Sequence, residues 1–162
     1  MKMIVCVAEN FAVGCGGKLL FSLPPDMKFF RETTAGKVVI MGRATLDSFP
    51  GGKPLKNRVN VVLTRNKNFV REGAEVFHSV EDVLSFVQKF NTDDVFVIGG
   101  SEIYNLFEPY CNTALVTKVF ESPHADRFFF NIDKAPHWIL EKQSDVMEYE
   151  NKKFTFCTYI KH

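Results

Sequence analysis

At 162 residues, 46% hydrophobic and 24% charged, the chain is neither disordered nor fibrous, and it can bury a substantial core within one ordinary domain. A net charge of +1 gives no general field for nucleic acid, so any anionic ligand must be held by particular arginines. No apolar run nears the roughly 20 residues of a membrane span, and the opening Met-Lys-Met-Ile-Val-Cys-Val-Ala meets Glu9 and Asn10 too early for a secretory signal.

Met3–Ala8 reads as a first strand, apolar on both faces. Asn10–Phe21 follows, and Gly14, Gly16 and Gly17 make it too loose for a helix. It reads either as a mobile flap that gates a pocket or as an ordinary surface loop. Pro24 and Pro25 then suit the first turn of a helix, where a missing N–H costs nothing. Asp26 falls in that first turn, and Phe30 lies one turn on along the same face. A carboxylate beside an aromatic plate can grip a flat heterocycle through its ring N–H groups and its ring face. Taken alone, the helix dipole explains an acid there equally well, with Met27, Phe29 and Phe30 as core.

Val38–Met41, Val59–Leu63 and Val95–Ile98 are short apolar runs without clean alternation, as expected of strands covered on both faces of a parallel sheet. Helices separate them. One opens at Gly42-Arg43, one is capped by Ser79 with Val80, Val83, Leu84 and Val87 on one face, and one opens at Gly99-Gly100-Ser101. The β-α-β alternation implies right-handed crossovers. Ala114–Phe120 is a further strand. Trp138–Val146 and Phe154–Ile160, joined by polar Glu148–Lys153, read as an antiparallel hairpin closing one edge. Phe128–Phe130 reads as core or edge packing. Cys6, Cys15, Cys111 and Cys157 show no C-x-x-C spacing, which favours a reduced, cytoplasmic protein with buried thiols and no metal.

Ligands of parallel sheets bind at the carboxyl ends of the strands. At that edge stand Gly42-Arg43, Thr64-Arg65 and Gly99-Gly100-Ser101. Glycine turns before helices offer backbone N–H groups to phosphate, and arginine forks suit phosphate oxygens. A pyrophosphate at the glycines with a further phosphate on Arg43 and Arg65 describes NADP, although G-x-G-x-x-G is absent. Arg58 opens the third strand at the opposite end. It is either a wet boundary residue or a clamp for a carboxylate tail.

Leu23-Pro-Pro-Asp26 with Phe30, Val39-Ile-Met-Gly-Arg43-Ala-Thr45, Pro54-Leu55 with Arg58, Val97-Ile-Gly-Gly100 with Tyr104, and Thr117 stand in a familiar order and spacing. On these motifs the chain resembles the dihydrofolate reductase family from residue 3 to the C-terminus. The resemblance implies one α/β domain over residues 1–162, with a mainly parallel central sheet, an antiparallel C-terminal hairpin and helices on both faces. It implies NADPH-dependent reduction of dihydrofolate by a cytoplasmic monomer with no nucleic-acid or membrane partner.

It also implies roles. Asp26, Phe21, Leu19, Thr117 and Tyr104 would serve the reaction, Thr117 through the Asp26 carboxylate and Tyr104 near the nicotinamide end. Ile4, Val5, Cys6, Phe30, Arg31, Phe49, Leu55, Arg58 and Ile98 would bind substrate, Ile4, Cys6 and Ile98 partly through backbone carbonyls, Phe30, Phe49 and Leu55 around the rings, and Arg58 on the glutamate α-carboxylate. Cys6, Val13, Gly14, Leu19, Gly42, Arg43, Ala44, Thr45, Leu63, Thr64, Arg65, Ile98, Gly99, Gly100, Ser101, Glu102, Ile103 and Tyr104 would surround NADPH, with Gly99–Gly100 in the cis form. One departure stands out. Many relatives carry Leu-Pro-Trp where this chain has Leu19-Leu20-Phe21, so a stiffening proline and an indole N–H are both missing. Two other readings remain: a folate- or nucleotide-binding module without activity, and a reductase of the same fold acting on another pterin or pyrimidine.

Overall fold

A computed structural model describes residues 1–16 and 18–162, so Gly17 of the glycine-rich segment lies outside the described residues. The elements in chain order are β1 (Lys2–Ala8), β2 (Ala12–Cys15), β3 (Lys18–Leu19), α1 (Pro24–Thr34), β4 (Val38–Gly42), α2 (Arg43–Ser48), β5 (Val59–Leu63), β6 (Ala74–Phe77) and α3 (Val80–Val87). They continue with β7 (Val95–Gly99), α4 (Ser101–Phe107), β8 (Thr113–Val119), β9 (Arg127–Phe128), β10 (Trp138–Gln143), β11 (Met147–Tyr149) and β12 (Lys152–Lys161). No described helix is long and apolar enough to cross a membrane.

Local chemistry sets the helix starts. Pro24 and Pro25 occupy the first positions of α1, where no N–H is needed, and Asp26 sits in its first turn. Ser79 caps α3 by accepting a 3.1 Å bond from the Asp82 backbone N–H. The central strands β4 and β7 are buried almost throughout, as strands covered on both faces must be.

The main sheet runs β10-β12-β8-β1-β7-β4-β5-β6. The six strands from β8 to β6 pair in parallel, and β12 and β10 add antiparallel strands at the far side. Ile4, Val39, Met41, Val62 and Phe96 face Leu46 of α2 and Phe29 and Phe30 of α1. Val5, Ile40, Val61 and Val97 face Val83 and Val87 of α3 and Ile103, Tyr104 and Phe107 of α4. Helices therefore cover both faces.

The sheet opens at one place. β1 pairs with β8 along its whole length, but with β7 only at Lys2↔Phe96 and Met3↔Val97. Beyond those pairs β1 and β7 diverge toward their carboxyl ends. The chain turns its connections the opposite way there, since β7 leads through α4 to β8 on the other side of β1. A second irregularity lies alongside: β4 pairs Ile40 with Val97 and then Met41 with Gly99, leaving Ile98 as the extra residue.

Two sequence expectations are corrected, and one strand is added. Asn10–Phe21 is not simply a loop, because β2 and β3 form a small antiparallel sheet with β9, held by Gly14↔Leu19 and Gly14↔Arg127. Long-range pairing there outweighs glycine's backbone entropy. β6, a four-residue strand after the turn at Gly73, extends the parallel sheet beyond β5. The C-terminal hairpin is also more than an edge. β12 lies inside the sheet between β8 and β10, and β11, not β10, precedes its tight turn.

Candidate active site

Asp26 reaches the sheet from α1. Its Oδ1 accepts a 2.7 Å hydrogen bond from Thr117 Oγ1 on β8, and Thr117 is 2% exposed. Thr117 is in register with Cys6 of β1 on one side and Phe156 of β12 on the other, so the three side chains form a row across one face. The helix docks on that row, with the Phe29 ring centre 4.8 Å from that of Phe156 and the two rings tilted by 39°. Burial pushes the Asp26 carboxyl above its ordinary range, and hydrogen bonds from Thr117 and Cys6 oppose that rise. The acid is sheltered yet poised to accept N–H donors.

Tyr104 stands at the split in the sheet. Its hydroxyl donates a 2.7 Å bond to the Ile4 carbonyl, the first carbonyl of β1 beyond the last β7 pair. The ring is 4% exposed, packs edge-on against Phe129 and lies under Gly99, where an added Cβ would stand 3.1 Å from it. Burial, and then the nearby Cys6 and Asp26, push its phenol far up, so it remains a donor. Ile4 is buried on the Asp26 face, Ile98 is half-buried at its bulge, and Val5 turns its side chain to the opposite core. Only the backbone of Val5 can face the crevice.

Phe30, Phe49 and Leu55 are half-buried and pack on the same apolar cluster as Ile4. Arg58 lies at their far end, with its guanidinium carbon 6.0 Å from the Phe30 ring centre. Its Nη1 donates to Thr34 Oγ1 (3.1 Å) and its Nε to the Lys56 carbonyl (2.9 Å). Partial burial and then the Arg31 guanidinium lower its affinity for the proton, which places two cations close together on this rim. Asn60, 2% exposed, holds the Leu55 segment by accepting from the Leu55 N–H and donating to its carbonyl, both at 2.9 Å. Neither Thr34 nor Asn60 is singled out by sequence pattern, although Asn60 is the one polar residue inside an apolar strand.

On the other side of the crevice, α2 and α4 begin close together. A Cβ on Gly42 would stand 3.0 Å from Ile103 Cγ1, and one on Gly100 would stand 3.9 Å from Thr45 Oγ1. The Gly99–Gly100 peptide is cis, and Gly99 has φ +115°. Arg43 lies over the Phe69 ring at 4.5 Å and pairs with Asp47 at 3.4 Å, with Ala44 exposed beside it. Arg65 follows Leu63 and Thr64 at the end of β5 and pairs with Glu102 of α4 at 2.9 Å. Ser101 opens α4. In the small sheet, Val13 packs on the core and Gly14 is buried. Leu19 is 79% exposed, whereas Phe21 is half-buried beside Cys6 and Leu23, with Lys152 Nζ 5.8 Å above its ring.

The arrangement is a crevice at a sheet switch point, with one sheltered carboxylate, an apolar ring slot, an arginine rim and a glycine-lined gap between two helix starts. It defines an α/β enzyme site for a nucleotide together with a flat heterocycle. A family model described as Dihydrofolate reductase matches residues 1–161. The dihydrofolate reductase of Neisseria gonorrhoeae is 33% identical over 161 residues, covering 99% of this chain and 97% of that protein. That of Mycobacterium tuberculosis is 40% identical over 118 residues, covering 72% and 70%. A solved dihydrofolate reductase from Enterococcus faecalis, complexed with NADP(H), superposes with a TM-score of 0.88 at 34% identity, covering 99% of this chain and 95% of its own. The chain belongs to the dihydrofolate reductase family.

Proposed function

We propose that this chain reduces 7,8-dihydrofolate to 5,6,7,8-tetrahydrofolate in the crevice beside Asp26, using NADPH. The observation that carries this reading is the sheltered Asp26 carboxylate, bonded by Thr117 and facing an apolar slot at the opening of the sheet. Such a group accepts the amino and ring N–H of a pterin, and burial strengthens the contact.

The residues present fit NADPH. The gap at Gly42 and Gly100 is one that side chains would narrow, and Arg43 and Arg65 flank it with fixed positive charge. Ala44, Thr45, Leu63, Thr64, Ser101, Glu102 and Ile103 lie on the same helix starts and strand ends. NADPH, when bound, supplies the hydride for the imine carbon of the pterin. Asp26 orients the ring and stabilises its tautomer electrostatically. A water, not the carboxylate, carries the proton to the adjacent nitrogen. Phe30, Phe49 and Leu55 hold the rings, Arg58 with Arg31 holds the glutamate carboxylates, and Tyr104 keeps the crevice open by tying Ile4 to α4. Phe21 and the small sheet of β2, β3 and β9 shield the reacting end from water.

In this reading residues 1–162 work as one catalytic domain, a monomer in the cytoplasm. The four cysteines, all unpaired, agree with a reducing compartment. Mixing the protein with NADPH and dihydrofolate tests the proposal. Loss of the NADPH absorbance at a rate proportional to protein is expected. Tight binding of both ligands without loss of absorbance would make the chain a binding module instead.

A further inference from the structure

We infer that Arg71 is a positioning residue for the cofactor: it takes up the Asp47 carboxylate and backs the Phe69 ring, which leaves the charge of Arg43 available to the extra phosphate of NADPH. This role of Arg71 rests on the use of NADPH proposed above.

Arg71 belongs to the connection between β5 and β6, and Asp47 lies in α2, one turn on from Arg43. Arg71 Nη2 donates to Asp47 Oδ1 at 3.0 Å, and its Nη1 donates to the Gly52 carbonyl. Arg43 reaches the other carboxylate oxygen, Oδ2, through Nε at 3.4 Å. Both guanidinium groups also stand over the Phe69 ring, Arg43 at 4.5 Å and Arg71 at 5.1 Å from its centre. Phe69 is buried with Val39, Leu46 and Val62, so the ring is a fixed plate. Arg71 is the more enclosed of the two arginines, its side chain 29% exposed against 45% for Arg43.

An arginine paired one-to-one with a carboxylate offers little net charge to a phosphate. Arg65 and Glu102 form such a pair at 2.9 Å. Around Asp47 the balance differs, because two guanidinium groups face one carboxylate and the shorter contact belongs to Arg71. One positive charge is left over, and Arg43, which opens α2 beside Gly42, presents it at the glycine-lined gap. The extra phosphate of NADPH feels that charge, and NADH has no group there to feel it. Arg71 thus sets the preference between the two cofactors without touching either.

Calorimetric titration of the protein with NADPH and with NADH, in the absence of dihydrofolate, tests this role. Arg71→Gln keeps an N–H donor for the Gly52 carbonyl and loses the charge. It should weaken NADPH binding about three- to tenfold, the scale of one screened charge a few ångström from the contact, and leave NADH unchanged. Adding Asp47→Asn to that variant should restore the wild-type affinity, because the carboxylate that Arg71 neutralised is gone. Arg71→Lys, which retains the charge, should bind NADPH as the wild type does. Asp47→Asn alone, with Arg71 and its bond to Gly52 intact, should bind NADPH more tightly than the wild type and NADH equally. Equal losses for both cofactors in Arg71→Gln, or no rescue by Asp47→Asn, would make Arg71 a prop of the Gly52 turn and overturn the assignment. Weaker NADPH binding by Asp47→Asn alone would overturn it too. The expected binding pattern in a protein that leaves dihydrofolate unreduced would remove the proposed reaction and leave the role of Arg71 standing.

Discussion

Thr117 and Asp26, 91 residues apart in the chain, meet through a 2.7 Å hydrogen bond that fastens the first turn of α1 to the middle of β8. The bond fixes which way the carboxylate faces, and a charge-assisted bond of this kind contributes about 1.5–3 kcal/mol.

Asp26→Asn keeps the shape and loses the charge. Turnover with dihydrofolate should fall by about 10²–10⁴, the range typical of a group acting on protonation in the transition state, while NADPH binding changes little. Near-unchanged turnover would remove Asp26 from the mechanism.

The same variant carries a stability prediction with a definite sign. Burial raises the Asp26 carboxyl above its ordinary 3.8 in the folded protein. The folded state therefore binds the proton more tightly, and stability falls as pH rises from that value through the folded one. Asparagine does not titrate. Without ligands, Asp26→Asn should melt higher than wild type at pH 7, and the gap should close toward pH 4. Thermal melts at the two pH values check this, at about 2–4 °C per kcal/mol for a chain of this length.

Arg43→Ala and Arg65→Ala should each raise the Michaelis constant for NADPH about tenfold and leave that for NADH unchanged, the loss expected of one charged hydrogen bond. Glu102 occupies Arg65 at 2.9 Å. Glu102→Gln should therefore lower the constant for NADPH. Equal effects on both cofactors would place the extra phosphate elsewhere.

Arg58→Leu should raise the Michaelis constant for dihydrofolate about tenfold or more without affecting a reduced pteridine that lacks the glutamate tail. Because Arg58 also bonds Thr34 and the Lys56 carbonyl, a modest drop in melting temperature is expected too. A tail-free pteridine that loses rate equally would show that the arginine acts only on the fold.

Phe21→Trp adds an indole N–H donor to a half-buried ring next to Cys6 and Leu23. An ordered water near the substrate carbonyl should gain a partner, and the pH–rate profile should shift. An unchanged profile would show that proton delivery here does not depend on that donor.

Much of this site was legible in the chain because its signals are local. Pro24-Pro25 before Asp26, glycine before Arg43, the Gly99-Gly100 pair and the arginines at strand ends each announce themselves within a few residues. What stayed hidden depends on partners. The divergence of β1 from β7 is a matter of register, to which hydrophobic period is blind. β2 and β3 are too short and glycine-rich to read as strands until β9, more than 100 residues away, pairs with them. The props under Arg58 and Leu55, Thr34 and Asn60, are tertiary for the same reason. Leu19 marks the opposite case: the resemblance gives it a role beside the reacting groups and the cofactor, and its side chain stands in solvent.

The parting of β1 and β7 frees the Ile4 carbonyl from strand pairing, and in the proposed function that oxygen and the carbonyl of the bulged Ile98 line the floor of the crevice. Peptide oxygens cannot be deleted by a codon change. An inhibitor that anchors on those two atoms would keep its grip through most point substitutions at either residue, and escape variants should arise instead where side chains set the slot's contour, at Phe30, Phe49 and Leu55.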